Sequence, residues 1–294
     1  MKHVSSGRSS EPRHPLLAAH SLLMLAFVYV PVLIVMAYSF NDTRLNAVWQ
    51  GWTWKWYTSL LTNDRIMEAL ANSLTIALVS TVISTILGTI AALALRGAVT
   101  RSKQKYMGLL YLPIIVPDII MGLSLLLLFS QLHIPLGKGT VIAAHITFSI
   151  SYVYVVVAAR LTGMGRDLEE AAQDLGATPW QSFRYIMLPA ILPGVIAGAI
   201  IAFTLSLDDF IISFFVTGPN STTLPIYIYG QVKRGISPEI NALSTLMVVV
   251  TVLLVILAEW LRSLGMKQRK GRSPEGTDSR DNDSQRPIVS QFPL

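Results

Sequence analysis

The sequence contains no cysteine, and this absence excludes disulfide bonds and thiol chemistry. Charged residues are also scarce: they make up 14% of the 294 residues, whereas hydrophobic residues make up 52%. The motifs of common hydrolases are missing, since neither His-Glu-x-x-His nor Gly-x-Ser-x-Gly occurs, and no paired metal-ligand cluster is found. Composition therefore argues against a soluble enzyme and for a protein of the lipid bilayer.

Long apolar runs divide the chain into membrane spans. Several stretches lack Lys, Arg, Asp and Glu over at least the roughly 18 residues that cross about 30 Å of hydrocarbon. They predict an all-α integral membrane protein with six transmembrane helices. The predicted spans are Leu17–Phe40, Asn72–Leu95, Met107–Phe129, Thr140–Ala159, Leu188–Thr217 and Ala242–Leu261. Pro113 and Pro117 interrupt the third span, which we expect to be kinked.

Basic residues predict the orientation of the spans. Of the 23 lysines and arginines, 17 lie in the two terminal segments and in the loops after the second and fourth spans. The positive-inside rule therefore predicts cytoplasmic termini. We expect residues 1–16 to be a cytoplasmic segment, residues 17–266 the transmembrane domain, and residues 267–294 a disordered cytoplasmic tail. Anionic lipid explains the net charge of +6 more simply than nucleic acid does.

A nucleotide-binding loop is also missing. The run Gly137-Lys138-Gly139-Thr140 is superficially like a P-loop, but Leu132 stands where that motif requires its first glycine. The predicted topology further puts this run outside the cell, away from ATP. We therefore expect that the chain does not hydrolyse ATP itself.

The cytoplasmic loop between the fourth and fifth spans has the pattern of two short capped helices. Asp167 and Glu170 are spaced as in a capping box, Gly176 is placed to end the first helix, and Thr178-Pro179 begins the second. Four apolar positions share one helical face, namely Leu168, Ala171, Ala172 and Leu175. The pattern predicts a rigid knob that fits a groove on another protein. The alternative is a helix lying on lipid, although the inner leaflet repels its acidic residues.

The spacing within this loop resembles a family signature. Glu170-Ala171-Ala172 is followed four residues later by Gly176 and, after nine intervening residues, by Ile186-x-Leu188-Pro189. This pattern is similar, without a gap, to the cytoplasmic loop of type I ABC importer permeases of the binding-protein-dependent transport family. The resemblance implies the type I importer permease fold over residues 17–266, with a coupling loop at residues 166–187.

The same resemblance implies a set of partners in the bacterial inner membrane. A cytoplasmic nucleotide-binding ATPase subunit would bind ATP and Mg, while this chain would bind no cofactor and no metal. A second permease subunit, implied to be a different chain, and a periplasmic substrate-binding protein would complete the assembly. The implied ATPase-coupling residues are Glu170, Ala171, Ala172, Leu175 and Gly176.

Five further stretches look like the putrescine/spermidine permease subfamily and imply that the cargo is a polyamine. They cover four of the six predicted spans. The stretches are Val116-Pro-Asp-Ile-Ile120, His145-Ile-Thr-Phe148, Phe203-Thr-Leu-Ser-Leu-Asp-Asp209, Phe215-Val-Thr-Gly-Pro219 and Pro238-Glu-Ile-Asn-Ala-Leu243.

Three aspartates inside the predicted spans support a cationic cargo on independent physical grounds. Asp118 lies near the middle of the third span, and Asp208 and Asp209 lie in the outer half of the fifth. Each would cost about 2.5–3.5 kcal/mol if it faced lipid, and no span contains Lys or Arg as a partner. A polycation needs such carboxylates for charge-assisted hydrogen bonds. Adjacent helical residues differ by about 100°, so we expect one of the pair to face the pathway and the other to bond a neighbouring helix.

Several alternatives stay open on the sequence alone. The aspartates could instead be protonated, line water, pair with another subunit or join helices, and Asp118 could cap backbone groups freed by Pro117. His145 in the fourth span favours a neutral interhelix hydrogen bond over a proton relay. For the whole chain, a proton-coupled secondary transporter of an organic cation, an ABC permease for another small solute, and a membrane scaffold are the competing functions.

Overall fold

The structure, a computed structural model, describes residues 15–43, 48–97, 101–165, 167–235 and 237–270, and these are almost entirely helical. The helices are α1 (Pro15–Tyr38), α2 (Lys55–Thr62), α3 (Asp64–Gly97), α4 (Arg101–Ile115), α5 (Asp118–Gln131), α6 (Lys138–Thr162), α7 (Asp167–Asp174), α8 (Pro179–Ser182), α9 (Leu188–Asp208), α10 (Ile211–Val216), α11 (Leu224–Val232) and α12 (Pro238–Lys270). A π-helical turn, Phe183–Met187, joins α8 to α9. The helix is therefore continuous from Pro179 to Asp208.

Within the described residues, five helical stretches are long and apolar enough to cross a membrane. They are Leu16–Tyr38, Asp64–Gly97, Lys138–Thr162, Pro179–Asp208 and Pro238–Trp260. The bent pair formed by α4 and α5 becomes a sixth candidate if the two helices are counted as one span. The all-α prediction with six spans is thus confirmed by the described residues. The cytoplasmic orientation of the termini stays a prediction.

The third span is broken rather than kinked. Helix α4 ends at Ile115, α5 begins at Asp118, and the two helices meet at an angle of 106°. Pro117 causes this break because it has no N–H to donate and because its ring disfavours helical geometry at Val116. Asp118 consequently lies in the first turn of a helix, not in the middle of a continuous span.

The prediction of one continuous fifth span over Leu188–Thr217 is wrong at its C-terminal end. Helix α9 ends at Asp208, Asp209 is extended with φ −65° and ψ 123°, and α10 follows. The Asp209 carboxylate accepts hydrogen bonds from the amides of Ile212 and Ser213 at 3.3 and 2.7 Å. These amides belong to the first turn of α10, so the carboxylate caps the new helix and stabilises the break.

Helices α3, α6 and α9 pack against one another and form the core, with α12 against α9 and α10 against α5. Glycine permits the closest approach between α3 and α6. A Cβ atom added at Gly88 would lie 2.8 Å from the Cβ of Val153 and 2.9 Å from the carbonyl oxygen of Ile150. Such contact between small and β-branched residues lets helices associate where lipid supplies no hydrophobic driving force.

We expect Gly88→Leu to destabilise the folded protein, because the added side chain has no space at this contact. Overpacking of this kind costs about 1–3 kcal/mol or more. The midpoint of thermal unfolding in detergent measures the effect. Gly108→Leu on the exposed side of α4 is the matched control, since a Cβ there meets nothing within 4 Å. Equal unfolding midpoints for the two variants would contradict the packing argument.

Most of the two predicted terminal segments, namely residues 1–14 and 271–294, lies outside the described residues. The predicted cytoplasmic N-terminal segment and the predicted disordered tail therefore stay predictions. Helix α12 continues to Lys270, past residue 267, at which the tail is predicted to begin.

Candidate functional site

Two helix breaks face one cleft and bring the three predicted aspartates together. Asp118 follows the break between α4 and α5, while Asp208 and Asp209 lie at the break between α9 and α10. All three residues line a cleft of about 430 Å³. The rest of its lining is mainly apolar and aromatic and includes Phe148, Tyr152, Leu205, Phe210, Ile211 and Ile212. The cleft therefore combines carboxylates with surfaces that can contact methylene groups.

The two exposed carboxylates of the cleft belong to Asp118 and Asp208. Asp118 lies in the first turn of α5, where the helix dipole favours a negative charge. Asp208 also lines a second cleft of about 450 Å³, which α11 and α12 help to form. Its walls are largely apolar and include Tyr229 and Met247. Asp208 thus lines both clefts.

Asp209 has a partner that the sequence argument missed. One of its carboxylate oxygens lies 3.2 Å from Nε2 of His145, and the Asp209 side chain is only 9% exposed. The predicted spans contain no Lys or Arg as a partner for the aspartates, but a histidine on another span can take that place. A histidine and an acid in separate apolar spans indicate a contact between those spans, because intramembrane ionisable groups usually pair with one another.

His145 on α6 is fully buried, and it belongs to a hydrogen-bond network that connects four helices. Its Nδ1 lies 2.6 Å from the hydroxyl of Ser206 on α9, and its Nε2 lies 2.9 Å from the hydroxyl of Ser213 on α10. Ser206 lies in turn 3.1 Å from the hydroxyl of Ser80 on α3. The predicted interhelix hydrogen bond of His145 is confirmed, and both ring nitrogens have polar partners, as a buried imidazole requires.

The predicted coupling loop is a compact pair of helices. Gly176 ends α7 with φ 89°. The amide of Ala177 donates to the carbonyl of Ala172 at 3.0 Å, which is the hydrogen bond of a Schellman cap. Thr178 then caps α8 with its side chain, and Pro179 occupies the first turn. The predicted stop at Gly176 and restart at Thr178 are both confirmed.

Arg96 at the end of α3 fastens this loop to the membrane domain. Its guanidinium lies 3.0 Å from the carboxylate of Glu169, and the two side chains are 13% and 17% exposed. The same guanidinium donates to the carbonyls of Met164 and Gly165 at 3.2 and 3.4 Å. Glu169 is therefore engaged in an ion pair within the protein, whereas the neighbouring Glu170 is exposed.

The predicted coupling residues form much of the loop's outer surface. Ala172 is half-buried, and the others, Glu170, Ala171, Leu175 and Gly176, are exposed. Leu175 is 90% exposed. Trp180 and Tyr185, which the sequence analysis did not single out, are exposed as well. Exposed apolar side chains grouped on a polar loop are typical of a protein interaction surface.

Residues 84–264 match the family described as the binding-protein-dependent transport system inner membrane component. The chain belongs to this family. Its relatives include the putrescine transport system permease protein PotI of Escherichia coli, which is 44% identical over 255 residues, or 84% of this chain and 91% of the relative. The spermidine/putrescine transport system permease protein PotC of Haemophilus influenzae is 40% identical over 241 residues, or 82% and 94% of the two chains.

Solved structures of ABC transporters share the fold. A chain of a bacterial transporter for import of the acidic polysaccharide alginate matches with a TM-score of 0.65 at 18% identity, covering 86% of this chain and 94% of that chain. A chain of the MetNI methionine transporter matches with a TM-score of 0.53 at 20% identity, covering 72% and 100%. The predicted type I ABC importer permease fold is thereby confirmed.

The binding-protein-dependent transport family match includes the three aspartates, His145 and the predicted coupling loop. It begins within α3 and extends through α9 and α10 into α12, so the aspartate cleft, His145 and the coupling loop all lie inside it. Helices α1 and α2 precede the matched region. The roles of the individual site residues stay predictions, because family membership does not assign them.

Proposed function

We propose that this chain is the membrane-spanning permease subunit of an ABC importer that carries a polyamine, putrescine or spermidine, across the bacterial inner membrane into the cytoplasm. The observation that carries this proposal is the cleft in which Asp118, Asp208 and Asp209 meet apolar and aromatic walls. A polyamine has ammonium groups separated by methylene chains. Carboxylates accept its charge-assisted hydrogen bonds, and aromatic faces attract its cations.

The lining of the cleft, rather than the fold, supports a cationic cargo. The alginate transporter has the same fold, and its cargo is an acidic polysaccharide. Three carboxylates beside one cavity would repel such a polyanion and attract a polycation. Relatives named for putrescine and for spermidine, at 40–44% identity, point to the same class of cargo.

We place the energy source on separate subunits, because the sequence lacks a P-loop. In this proposal cytoplasmic ATPase subunits bind ATP and Mg and dock on the exposed surface of the coupling loop. A second permease subunit of different sequence shares the pathway, and a periplasmic binding protein delivers the polyamine. The anchored position of the loop supports this arrangement, since Arg96 links it directly to α3.

Uptake into proteoliposomes tests the proposal. The chain is purified with its ATPase, second permease and binding-protein subunits and reconstituted, and radiolabelled putrescine or spermidine is supplied outside. We expect uptake that requires ATP within the vesicles and the binding protein outside. Uptake driven by a proton gradient in vesicles that hold this chain alone would instead support a secondary transporter. ATP-driven uptake of a different solute, with none of either polyamine, would refute the proposed cargo.

A further inference from the structure

We infer that His145 is a positioning residue of the proposed polyamine pathway: it holds Asp209 in the wall of the cleft and leaves Asp208 to face the cargo. This inference rests on the proposed function, because it divides roles within the proposed cargo site. It identifies Asp209 as the member of the pair that bonds a neighbouring helix, and it adds a histidine that does not contact substrate itself.

Both carboxylate oxygens of Asp209 already accept hydrogen bonds from within the protein. Oδ1 accepts from the amide of Ile212 at 3.3 Å, and Oδ2 accepts from the amide of Ser213 at 2.7 Å. Oδ2 also lies 3.2 Å from Nε2 of His145. An ammonium group that bound this carboxylate would have to compete with these donors. The adjacent Asp208 is exposed and lines both clefts.

His145 binds both sides of the helix break between α9 and α10. Its Nδ1 meets Ser206, in the last turn of α9, and its Nε2 meets Ser213, in the first turn of α10. The interrupted backbone at Asp209 and Phe210 contains neither proline nor glycine, so the local sequence does not enforce the break. The His145 side chain, which bonds both helix ends, holds the break in place. It thereby also fixes the orientation of Asp208 at the end of α9.

The series of hydrogen bonds that begins at His145 ends inside the protein core. From His145 it passes through the hydroxyls of Ser206 and Ser80 to the carbonyl oxygen of Ile76, which accepts from Ser80 at 2.7 Å. All three side chains are buried, and this carbonyl lies within helix α3. This series of hydrogen bonds therefore connects helices to one another inside the core. This arrangement suits a structural clamp better than a proton path between the two sides of the membrane.

Carbodiimide labelling of the complete transporter in nanodiscs tests the inference. Carboxylates activated by the carbodiimide are coupled to a small amine, and mass spectrometry of peptides gives the labelling rates of Asp208 and Asp209. In the wild type we expect Asp208 to be labelled and to be protected by spermidine, compared with NaCl at equal ionic strength. We expect Asp209 to be labelled at least about tenfold more slowly, because hydrogen bonds to a charged group must first open, and to be unaffected by spermidine.

His145→Gln should raise the labelling rate of Asp209 about tenfold, because the clamp across the break is lost. His20→Gln, at an exposed position of α1, is the matched control and should change neither rate. Ser206→Ala removes the other anchor of the ring and provides a second variant should His145→Gln not assemble. In uptake at saturating binding protein, Asp209→Asn should lower the maximal rate with little change in the half-saturating polyamine concentration.

Protection of Asp209 by spermidine in the wild type would overturn the inference, as would an Asp209 labelling rate that is unchanged in both His145→Gln and Ser206→Ala. An error in the proposed function would give a different experimental result. If wild-type transporter takes up no polyamine and spermidine protects neither aspartate, the proposed cargo is wrong. The positioning role of the histidine would then still be supported if Asp209 is labelled slowly in the wild type and faster in His145→Gln.

Discussion

Glu170→Lys is expected to abolish ATP-driven uptake while the external binding protein still captures its cargo. Glu170 is exposed on α7, a helix that the Arg96–Glu169 ion pair fastens to the membrane domain. The substitution should therefore change the surface offered to the ATPase without unfolding the loop. Losing a charge pair in an interface costs about 2–5 kcal/mol, which weakens association by at least about 30-fold. Co-purification of the ATPase and uptake into proteoliposomes measure the effect.

Glu68→Lys is the matched control for this prediction. It makes the same charge reversal at an exposed position of α3, near the end of that helix opposite to Arg96. We expect this variant to retain its ATPase partner and its uptake. Normal uptake by Glu170→Lys would show that the exposed carboxylate of α7 takes no part in coupling, whereas equal loss in both variants would indicate a general effect of charge reversal.

The coupling loop was predictable in detail because its structure depends on near neighbours. A glycine at positive φ ends α7, and a threonine followed by proline begins α8, as the local pattern requires. The attachment of the loop to Arg96 could not be predicted in the same way. That ion pair joins residues 73 positions apart, and no local pattern predicts which of the loop's two glutamates, Glu169 or Glu170, faces inward.

The two helix breaks could not both be predicted from the hydropathy of the sequence. Pro117 is a local signal, so an interruption of the third span was predicted, although the 106° bend exceeds a kink. The break after α9 has no such signal, because apolar residues continue on both sides of Asp208 and Asp209. Contacts with another helix stabilise it, above all the contact with His145 on α6. Only the tertiary structure contains this information.

The aspartates themselves were conspicuous in the sequence, because a carboxylate within an apolar run is costly unless it has a function or a partner. Their common cleft was not derivable, since it forms only when both broken spans turn toward α6. The expectation that Asp208 and Asp209 would have different surroundings agrees with the structure. Its stated reason, their angular separation on one helix, does not apply, because the helix ends between them.

Asp208→Asn is expected to lower polyamine uptake about 10- to 100-fold, because the variant loses a hydrogen bond between charged groups in the cleft. The amide is nearly the same size as the carboxylate, so the helix end and the surrounding aromatic residues should be preserved. Uptake of labelled putrescine and spermidine at saturating binding protein gives the half-saturating concentration and the maximal rate. We expect the effect to grow with the number of ammonium groups that the cargo presents.

Comparison with the other acids of the chain separates a cargo contact from a general requirement for negative charge. Asp118→Asn should act in the same direction as Asp208→Asn, since both side chains are exposed in the same cleft. Glu68→Gln removes an exposed carboxylate of α3 that does not line this cleft, and it should leave uptake unchanged. If Asp118→Asn, Asp208→Asn and Asp209→Asn all transported normally, the carboxylates of the cleft would not form the cation pathway. A rise in the half-saturating polyamine concentration that is confined to Asp209→Asn would instead assign the cargo contact to the buried acid.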